Sequence, residues 1–334
     1  MNEAIVNSTE VKDSLYLKAK RKDLVTSFMP FAGLIFISLF MIIVTKGAVI
    51  KQGNLLVLLN QVFTISLVGV GAAFVYSHGG FDFSIGASNG LAQYICVLII
   101  VQKGLPIWLG ILAAVLIGVT DSVLVGGLSA LIRVNPFVTS LCMRSICMGL
   151  LSMAVNGSGG QINVSYQQFA MFDSWVLKLA VLFVVILCGY YLFEKTSLGK
   201  SGKAIGGNLL TSVQSGIKVN RTMVLSYALL GFCVGLAAIF QVARLGIITT
   251  QSGSGLEFDL MVAIILGGFP MAGGAGAKLL SVIIGACTIT ILANGLIIWG
   301  LDVNVVNGIK GLLFVIIIAI SYDRSSVKQV NITT

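Results

Sequence analysis

The residues of this chain that could do chemistry are few and scattered. Its single histidine is His78, and none of its six cysteines forms a Cys-x-x-Cys pair, so neither a Ser–His–Asp set nor a cysteine metal cluster is predicted. Gly199, Lys200 and Ser201 match the end of a phosphate-binding loop, but Glu194 stands where that loop requires its first glycine. We therefore expect no catalytic site, no metal site and no cofactor bound by this chain.

Two aspartates lie in apolar surroundings, where an ionised side chain is costly. Asp82 lies in a glycine-rich turn, where it either caps the helix that follows, with Ser84 sharing the role, or acts as a hinge or gate. Asp121 lies near the middle of a long apolar run. It either pairs with Arg144 or Lys310, or it faces a water-filled path.

The elements that must position these residues are membrane helices. Hydrophobic residues make up 57% of the chain and charged residues 10%, whereas about a quarter of a soluble domain is charged. A spanning helix needs about 20 mostly apolar residues, so we predict an all-α, polytopic transmembrane bundle of about ten helices. The predicted spans are 28–45, 55–77, 84–101, 107–132, 137–155, 175–193, 222–243, 258–270, 278–299 and 304–321.

The eighth predicted span, 258–270, is too short to cross a bilayer alone. It is either tilted, extended into its flanking glycines, or half of a broken helix buried among its neighbours. Glu257 and Asp259 open this segment, where carboxylates favour a helix N-terminus, so we expect them to have a structural role.

The chain is predicted to be one membrane domain, 28–321, between two cytoplasmic tails, 1–27 and 322–334. With the N-terminus inside, 14 lysines and arginines fall in inner segments, and the outer loops carry only Lys46, Lys51 and Lys103. The remaining four lie within or at the edges of spans: Arg144, Lys178, Arg244 and Lys310. Because inner loops of membrane proteins are enriched in these residues, both termini are expected to be cytoplasmic.

The longest internal polar stretch, 194–221, is predicted to contain a short amphipathic helix on the cytoplasmic face. Gly206 and Gly207 are expected to break the chain, Asn208 to cap the helix and Gly216 to end it. Its apolar residues repeat at helical spacing: Leu209, Leu210, Val213 and Ile217. This apolar face either packs against lipid headgroups or docks another protein.

Five stretches in chain order resemble the permeases of ribose- and galactose-type ABC sugar importers. They are HGGFDFSIGAS at 78–88, NPFVTSLCMRSICMGL at 135–150, AIGGNLLTSVQSGIKVNR at 204–221, VARLG at 242–246 and GLEFDLMVAIILGGFPMAGGAG at 255–276. The chain departs from the family pattern at Phe81 and Phe83 beside Asp82, at Asp121, and at Phe269 and Pro270.

The resemblance implies a permease in the inner membrane of a bacterium that imports a monosaccharide or a related small polar solute. Two permease copies, identical or different, would pair in the lipid membrane. A separate cytoplasmic subunit would use ATP and magnesium, and an extracytoplasmic binding protein would deliver the solute; no nucleic acid is involved. The residues that would contact the ATPase are Lys203, Ala204, Gly206, Gly207, Asn208, Leu209, Leu210, Val213, Gly216 and Ile217.

Sparse polar residues within the spans are candidates for the translocation path. They are Asn60, Gln61, Asp82, Ser88, Asn89, Gln93 and Asn294. Each could equally make a hydrogen bond between helices. The alternative function is an ion-coupled secondary transporter that uses Asp82 or Asp121, and a third is a membrane scaffold that transports nothing.

Overall fold

A computed structural model describes residues 28–321, so both predicted tails, 1–27 and 322–334, lie outside the described residues. The helices are α1 Phe28–Val44, α2 Gln52–Ser77, α3 Ile85–Val97, α4 Ile107–Ile132, α5 Pro136–Gly157, α6 Tyr166–Asp173, α7 Trp175–Tyr190, α8 Ser197–Gly207, α9 Leu209–Gln214, α10 Val219–Leu245, α11 Leu256–Leu266, α12 Leu279–Ile298 and α13 Val303–Ser321. Two short strands, β1 Gln161–Asn163 and β2 Ile247–Thr249, pair antiparallel.

The described residues confirm the polytopic helical bundle. Seven helices are long and apolar enough to cross a membrane, and α1 and α13 contribute shorter apolar segments. Two of the seven spans are lengthened by a π-helical turn, Leu98–Gln102 after α3 and Tyr191–Lys195 after α7. The predicted boundaries agree with these helices to within a few residues because each span is a continuous apolar run.

The centre of the bundle is α2, in which every residue from Phe63 to Ser77 is buried. It packs against α10 and α12. Glycines bring α4 and α10 into backbone contact, because a Cβ atom added at Gly118 would overlap the carbonyl oxygen of Gly231. Small residues are what permits such close approach between membrane helices.

The eighth predicted span is a short helix with non-helical backbone on both sides. The turn before α11 enters the bundle, where a Cβ atom added at Gly253 would overlap the backbone of Gly86 in α3. After α11, residues 267–278 are non-helical. Irregular backbone at membrane depth is tolerated where protein buries it, so the broken-helix alternative is the one observed.

The region 194–221 differs from the sequence prediction, because it holds two helices and not one. Gly206 lies within α8 and Gly207 is its last residue, so these glycines do not break the chain where predicted. The small Gly206 is needed for packing, as described below. The helix is interrupted instead at Asn208, which has an extended backbone between α8 and α9.

Candidate functional site

The helix α9 is held at both ends by the local contacts that its sequence predicted. The side-chain oxygen of Asn208 accepts a hydrogen bond from the backbone N–H of Thr211 at 3.0 Å. At the other end Gly216 adopts a φ of +80°, and the N–H of Ile217 donates to the carbonyl oxygen of Ser212 at 3.1 Å. The predicted cap and stop are both confirmed, and together they fix a rigid short helix.

The apolar residues of α9 point away from the rest of the described chain. Leu209, Leu210 and Val213 are 51%, 75% and 55% exposed, while Ser212 on the opposite side is buried. Ile217 is half-buried, so it belongs to the edge of this apolar face. A short helix that exposes its leucines in this way presents an apolar surface typical of an interaction site.

The preceding helix, α8, is pressed onto the end of the central helix. A Cβ atom added at Gly206 would overlap the carbonyl oxygen of Ser77 in α2 and would come within 2.5 Å of the amide nitrogen of Gly274. The N–H of Gly274 in turn donates to the carbonyl oxygen of Ser77 at 2.9 Å. The end of α2, the 267–278 segment and α8 therefore form one packed junction.

The same helix is also fixed to the end of α7. A Cβ atom added at Gly199 would overlap the carbonyl of Phe193. The ammonium of Lys203 lies 2.8 Å from the carboxylate of Glu194 and 4.4 Å from the centre of the Phe193 ring. The helix α8 therefore contacts the ends of both α2 and α7.

A polar cavity of about 240 Å³ lies among α2, α10, α11, α12 and α13. Two of the predicted path residues, Gln61 and Asn294, line it. The other polar side chains on its wall are Thr64, Gln241, Arg244, Ser254, Asp259, Thr290 and Lys310. Polar side chains gathered around a cavity inside a helical bundle are typical of a solute path.

Ion pairs and amide pairs organise the wall of this cavity. The ammonium of Lys310 lies 2.5 Å from the carboxylate of Asp259. Asn294 exchanges two side-chain hydrogen bonds with Asn54, at 2.8 and 3.0 Å. These contacts pair Lys310 with Asp259 and Asn294 with Asn54, and no hydrogen bond is recorded for the side chain of the wall residue Gln61 within the described residues.

The predicted residues Asn89 and Gln93 lie behind this cavity. The side-chain amide of Gln93 donates to Asn89 at 2.7 Å and to Gln241 at 2.7 Å, and Asn89 donates to the carbonyl oxygen of Val234 at 3.0 Å. Since Gln241 is a wall residue, this network orients the wall from α3.

Asn60 faces a different environment from its neighbour Gln61. Its side-chain oxygen accepts a hydrogen bond at 2.8 Å from Lys178, an almost completely buried lysine that also pairs with Asp173 at 2.5 Å. Asn60 therefore ties α2 to α7 and does not line the cavity. Two adjacent polar residues necessarily point to different sides of a helix.

Asp82 and Asp121 form a buried cluster with Ser84, and Asp121 pairs with neither of the predicted cations. The carboxylate oxygens of Asp121 lie 3.0 Å from the hydroxyl of Ser84 and 3.2 Å from the thiol of Cys147. Arg144 instead lies 3.0 Å from Glu257, and Lys310 pairs with Asp259. The prediction was wrong because helix rotation points Asp121 toward α3 and α5.

Two further predicted path residues, Asp82 and Ser88, lie at this buried cluster. Asp82 accepts a hydrogen bond at 2.8 Å from the backbone N–H of Ser84, the residue before α3. No side chain of the described residues accepts from the first turn of α3, so Asp82 and Ser84 do not cap this helix as the first alternative predicted. The hydroxyl of Ser88 is buried beside them without a hydrogen-bond partner. At the end of α2, burial lowers the pKa of His78 to about 4, so this histidine is neutral at physiological pH.

The sequence of this chain matches a known protein family. The family described as the permease component of branched-chain amino acid transport systems matches residues 54–318. The chain belongs to this permease family. The permease is 31% identical over 307 residues to the ribose import permease protein RbsC of Bacillus subtilis (strain 168), covering 88% of the chain and 92% of that relative.

Two further relatives are also permease proteins of import systems. RbsC of Escherichia coli (strain K12) is 29% identical over 260 residues, 75% of the permease and 79% of the relative. The autoinducer 2 import system permease protein LsrD of Escherichia coli O157:H7 is 27% identical over 303 residues, 86% and 91% of the two chains. No solved structure matches the permease.

Sequence reasoning missed most of the cavity wall of the permease. Gln241 and Arg244 are polar residues at the end of a long apolar run, a signal that could have marked them as path candidates. Thr290 carried no such signal, because threonine is common in membrane helices. The pairing of Asp259 with Lys310, 51 residues apart, also left no local trace.

Proposed function

We propose that this permease is the transmembrane subunit of an ABC importer that moves a monosaccharide or a related small polar solute inward, driven by a separate ATPase. The observation that carries the proposal is α9, a capped helix with an exposed apolar face seated by α8 on the ends of α2 and α7. Membership of the permease family and similarity to ribose and autoinducer 2 import permeases support the solute class.

The ATPase would dock on the exposed face formed by Leu209, Leu210 and Val213. A six-residue helix is too short to anchor a protein in lipid by itself, which favours a protein partner over the headgroup alternative. The other predicted coupling residues have supporting positions. Ala204 is exposed beside this face, while Lys203 is held by Glu194.

A push on α9 would reach the solute cavity through α2. Gly206 transmits it to Ser77, and α2 continues without a break to the cavity residues Thr64 and Gln61. The distance from Ser77 to Thr64 along the helix is about 20 Å, at 1.5 Å per residue. Closure of the ATPase pair would therefore shift one wall of the cavity and change the side on which it opens.

The cavity offers chemistry suited to hydroxyl groups. Amide and hydroxyl side chains can both donate and accept hydrogen bonds, and Gln61, Gln241 and Thr290 line this cavity. A sugar presents the complementary pattern of hydroxyl groups. Of the predicted path residues we retain Gln61 and Asn294. We assign Asn60, Asp82, Asn89 and Gln93 to contacts that position the helices. Ser88 is buried and does not line the cavity.

Docking of a cytoplasmic ATPase at α9 would define the orientation of the chain in the membrane. The end of the bundle that carries α8 and α9 would be cytoplasmic, as would both termini, in the inner membrane of a bacterium. ATP and magnesium would bind the ATPase, and a solute-binding protein would dock at the opposite end, where α6 and the β1–β2 pair lie. A second permease copy would complete the pore.

The experiment compares two charge substitutions on α9. Leu210→Asp places a carboxylate on the apolar face, and Thr211→Asp places the same charge on an exposed polar position one residue away. We expect Leu210→Asp to abolish ATPase co-purification and ribose uptake in cells expressing the full transporter, and Thr211→Asp to retain both. ATP-driven uptake unchanged in Leu210→Asp contradicts the proposal, and so does uptake by the permease alone that an uncoupler stops.

A further inference from the structure

Two side chains on the wall of the polar cavity have no partner within the described residues. Thr290 on α12 is 2% exposed, and its hydroxyl is buried without a hydrogen bond to any described residue. Arg244 on α10 is half-buried and forms neither an ion pair nor a hydrogen bond with the described part of the chain. Because buried polar groups are nearly always hydrogen-bonded, this wall is complementary to a polar ligand.

The charges on the wall of the cavity do not balance. Lys310 lies 2.5 Å from Asp259, so these two charges neutralise each other, and the remaining charged residue among those that line the cavity is Arg244. Asp173 on α6 attracts Arg244 from outside the wall without forming an ion pair with it, and it is itself bonded to Lys178 at 2.5 Å. The described wall therefore carries one positive charge in excess.

The guanidinium group of Arg244 restricts the chemistry of that ligand. A guanidinium only donates hydrogen bonds, and its planar fork matches the two oxygens of a carboxylate. One carboxylate supplies the single negative charge that balances Arg244, whereas a phosphate group carries close to two at pH 7. The wall therefore favours a ligand with one carboxylate over a neutral or a phosphorylated ligand.

The other polar groups of the wall suit hydroxyl groups. Gln61 on α2 and Thr290 can each donate and accept a hydrogen bond, and neither side chain forms one within the described residues. Gln241 lies three residues before Arg244 on the same face of α10, and its side-chain oxygen is held by Gln93 at 2.7 Å. The cavity thus combines one cation from α10 with neutral donors and acceptors from three helices.

We infer that the preferred solute of this cavity is an acidic sugar, a monosaccharide that carries one carboxylate; this rests on the proposed function, which makes the cavity a solute site. Arg244 binds the carboxylate through two parallel hydrogen bonds, and Thr290 and Gln61 bind hydroxyl groups. A neutral sugar meets the same hydroxyl-binding groups, so it enters the cavity but is held more weakly. Arg244 is therefore a specificity-determining residue.

The test measures thermal unfolding of the purified full-length permease in lipid nanodiscs at pH 7 with matched sugars. Glucuronate differs from glucose, and galacturonate from galactose, only by a carboxylate in place of a CH₂OH group. Sodium chloride keeps the ionic strength equal in all samples. We expect one or both acids to raise the unfolding midpoint at a concentration about tenfold lower than the neutral sugar requires, because hydrogen bonds between charged groups are stronger. Equal effects of acid and neutral sugar, or no shift with either acid, would overturn the inference.

Substitutions of Arg244 separate solute selection from a structural role. Arg244→Gln removes the charge, and we expect it to abolish the preference for the acid while the neutral sugar still raises the midpoint. Arg244→Lys retains the charge without the fork and should show an intermediate preference. Lys103→Gln removes an exposed charge outside the cavity and should retain the full preference. The midpoint of each variant without sugar shows that it is folded, and a preference retained in Arg244→Gln would refute the role of this residue.

Two further anions distinguish an acidic sugar from other ligands. Acetate has the carboxylate without hydroxyl groups, and glucose 6-phosphate has the hydroxyl groups with a larger charge. We expect both to raise the midpoint less than the better acidic sugar does. An equal shift with acetate would show a general anion site, and a larger shift with glucose 6-phosphate would show a phosphate site, so either result contradicts the inference. These measurements use neither the ATPase nor transport, so their failure is distinguishable from failure of the proposed function.

Discussion

Gly206 of α8 rests directly on the carbonyl oxygen of Ser77, the last residue of α2, with no room between them for a Cβ atom. Ser77 also accepts the N–H of Gly274, so the contact lies in a packed junction of three segments. Such a junction transmits displacement because close-packed groups cannot be compressed. It is the physical basis on which a push on α9 would reach the membrane interior.

The two adjacent glycines of α8 should differ in their tolerance of a side chain. Gly206→Val overlaps the backbone of Ser77 and Gly274, and overpacking of this kind costs about 1–3 kcal/mol. We expect it to uncouple ATP hydrolysis from uptake. Gly207→Val meets nothing of this chain within 4 Å, so it serves as the control for packing, although Gly207 is itself a predicted ATPase contact. Equal uptake by both variants, measured with ribose and normalised to membrane-inserted protein, would contradict the junction.

The cap of α9 should be replaceable by a second good cap. Asn208→Ala removes the acceptor for the N–H of Thr211 and should destabilise the helix by about 0.5–2 kcal/mol. Asn208→Asp restores an acceptor at the same position. Amide hydrogen exchange over residues 209–214 measures the outcome. We expect faster exchange in the alanine variant alone, together with weaker ATPase binding, and similar rates in all three proteins would be a contrary result.

Substitutions at the adjacent residues Asn60 and Gln61 should have different effects, one on stability and the other on solute uptake. Gln61→Leu alters the cavity wall, so we expect a higher KM for solute uptake with an unchanged unfolding midpoint. Asn60→Leu deprives the buried Lys178 of an acceptor and should cost about 1.5–3 kcal/mol of stability, with KM unchanged. Uptake kinetics and thermal unfolding of both variants check this, and the opposite assignment of effects would refute the placement of the cavity.

The effects of substituting Asp259 and Lys310, the ion pair on the cavity wall, should not be additive. Asp259 and Lys310 are partly exposed, so removal of one should cost about 2 kcal/mol, between the 0–1 kcal/mol of exposed pairs and the 3–5 kcal/mol of buried ones. We expect Asp259→Asn and Lys310→Met each to lower the unfolding midpoint and uptake. The double variant should lose less than the sum. Additive losses would show that the two side chains act independently.

Labelling of single cysteines would establish the orientation. Ser158→Cys, at the exposed end of α5, should react with an impermeant thiol reagent applied from outside intact cells, and Leu210→Cys only after the membrane is opened. The native cysteines are first replaced, because Cys142 and Cys188 are exposed on the bundle. Labelling of Leu210→Cys from outside would reverse the topology and exclude a cytoplasmic ATPase at α9.

The sequence by itself determined the membrane spans and the capped ends of α9. These are local properties, since hydropathy depends on one run of residues and the Asn208 cap depends on the next three. The sequence also showed that the segment 258–270 is too short to span alone, and it left a tilted, an extended and a broken helix open. The resemblance to a permease family rested on the same local stretches.

Only the tertiary structure decided which polar groups meet. Asp121 bonds Ser84, and Lys310 bonds Asp259, because helix rotation and crossing place them together, and a linear pattern does not encode rotation within a bundle that is apolar on every side. The close contact between Gly206 of α8 and Ser77 of α2 arises in the same way. The polar cavity and the junction of α8 with α2 are both products of packing between segments distant in the chain.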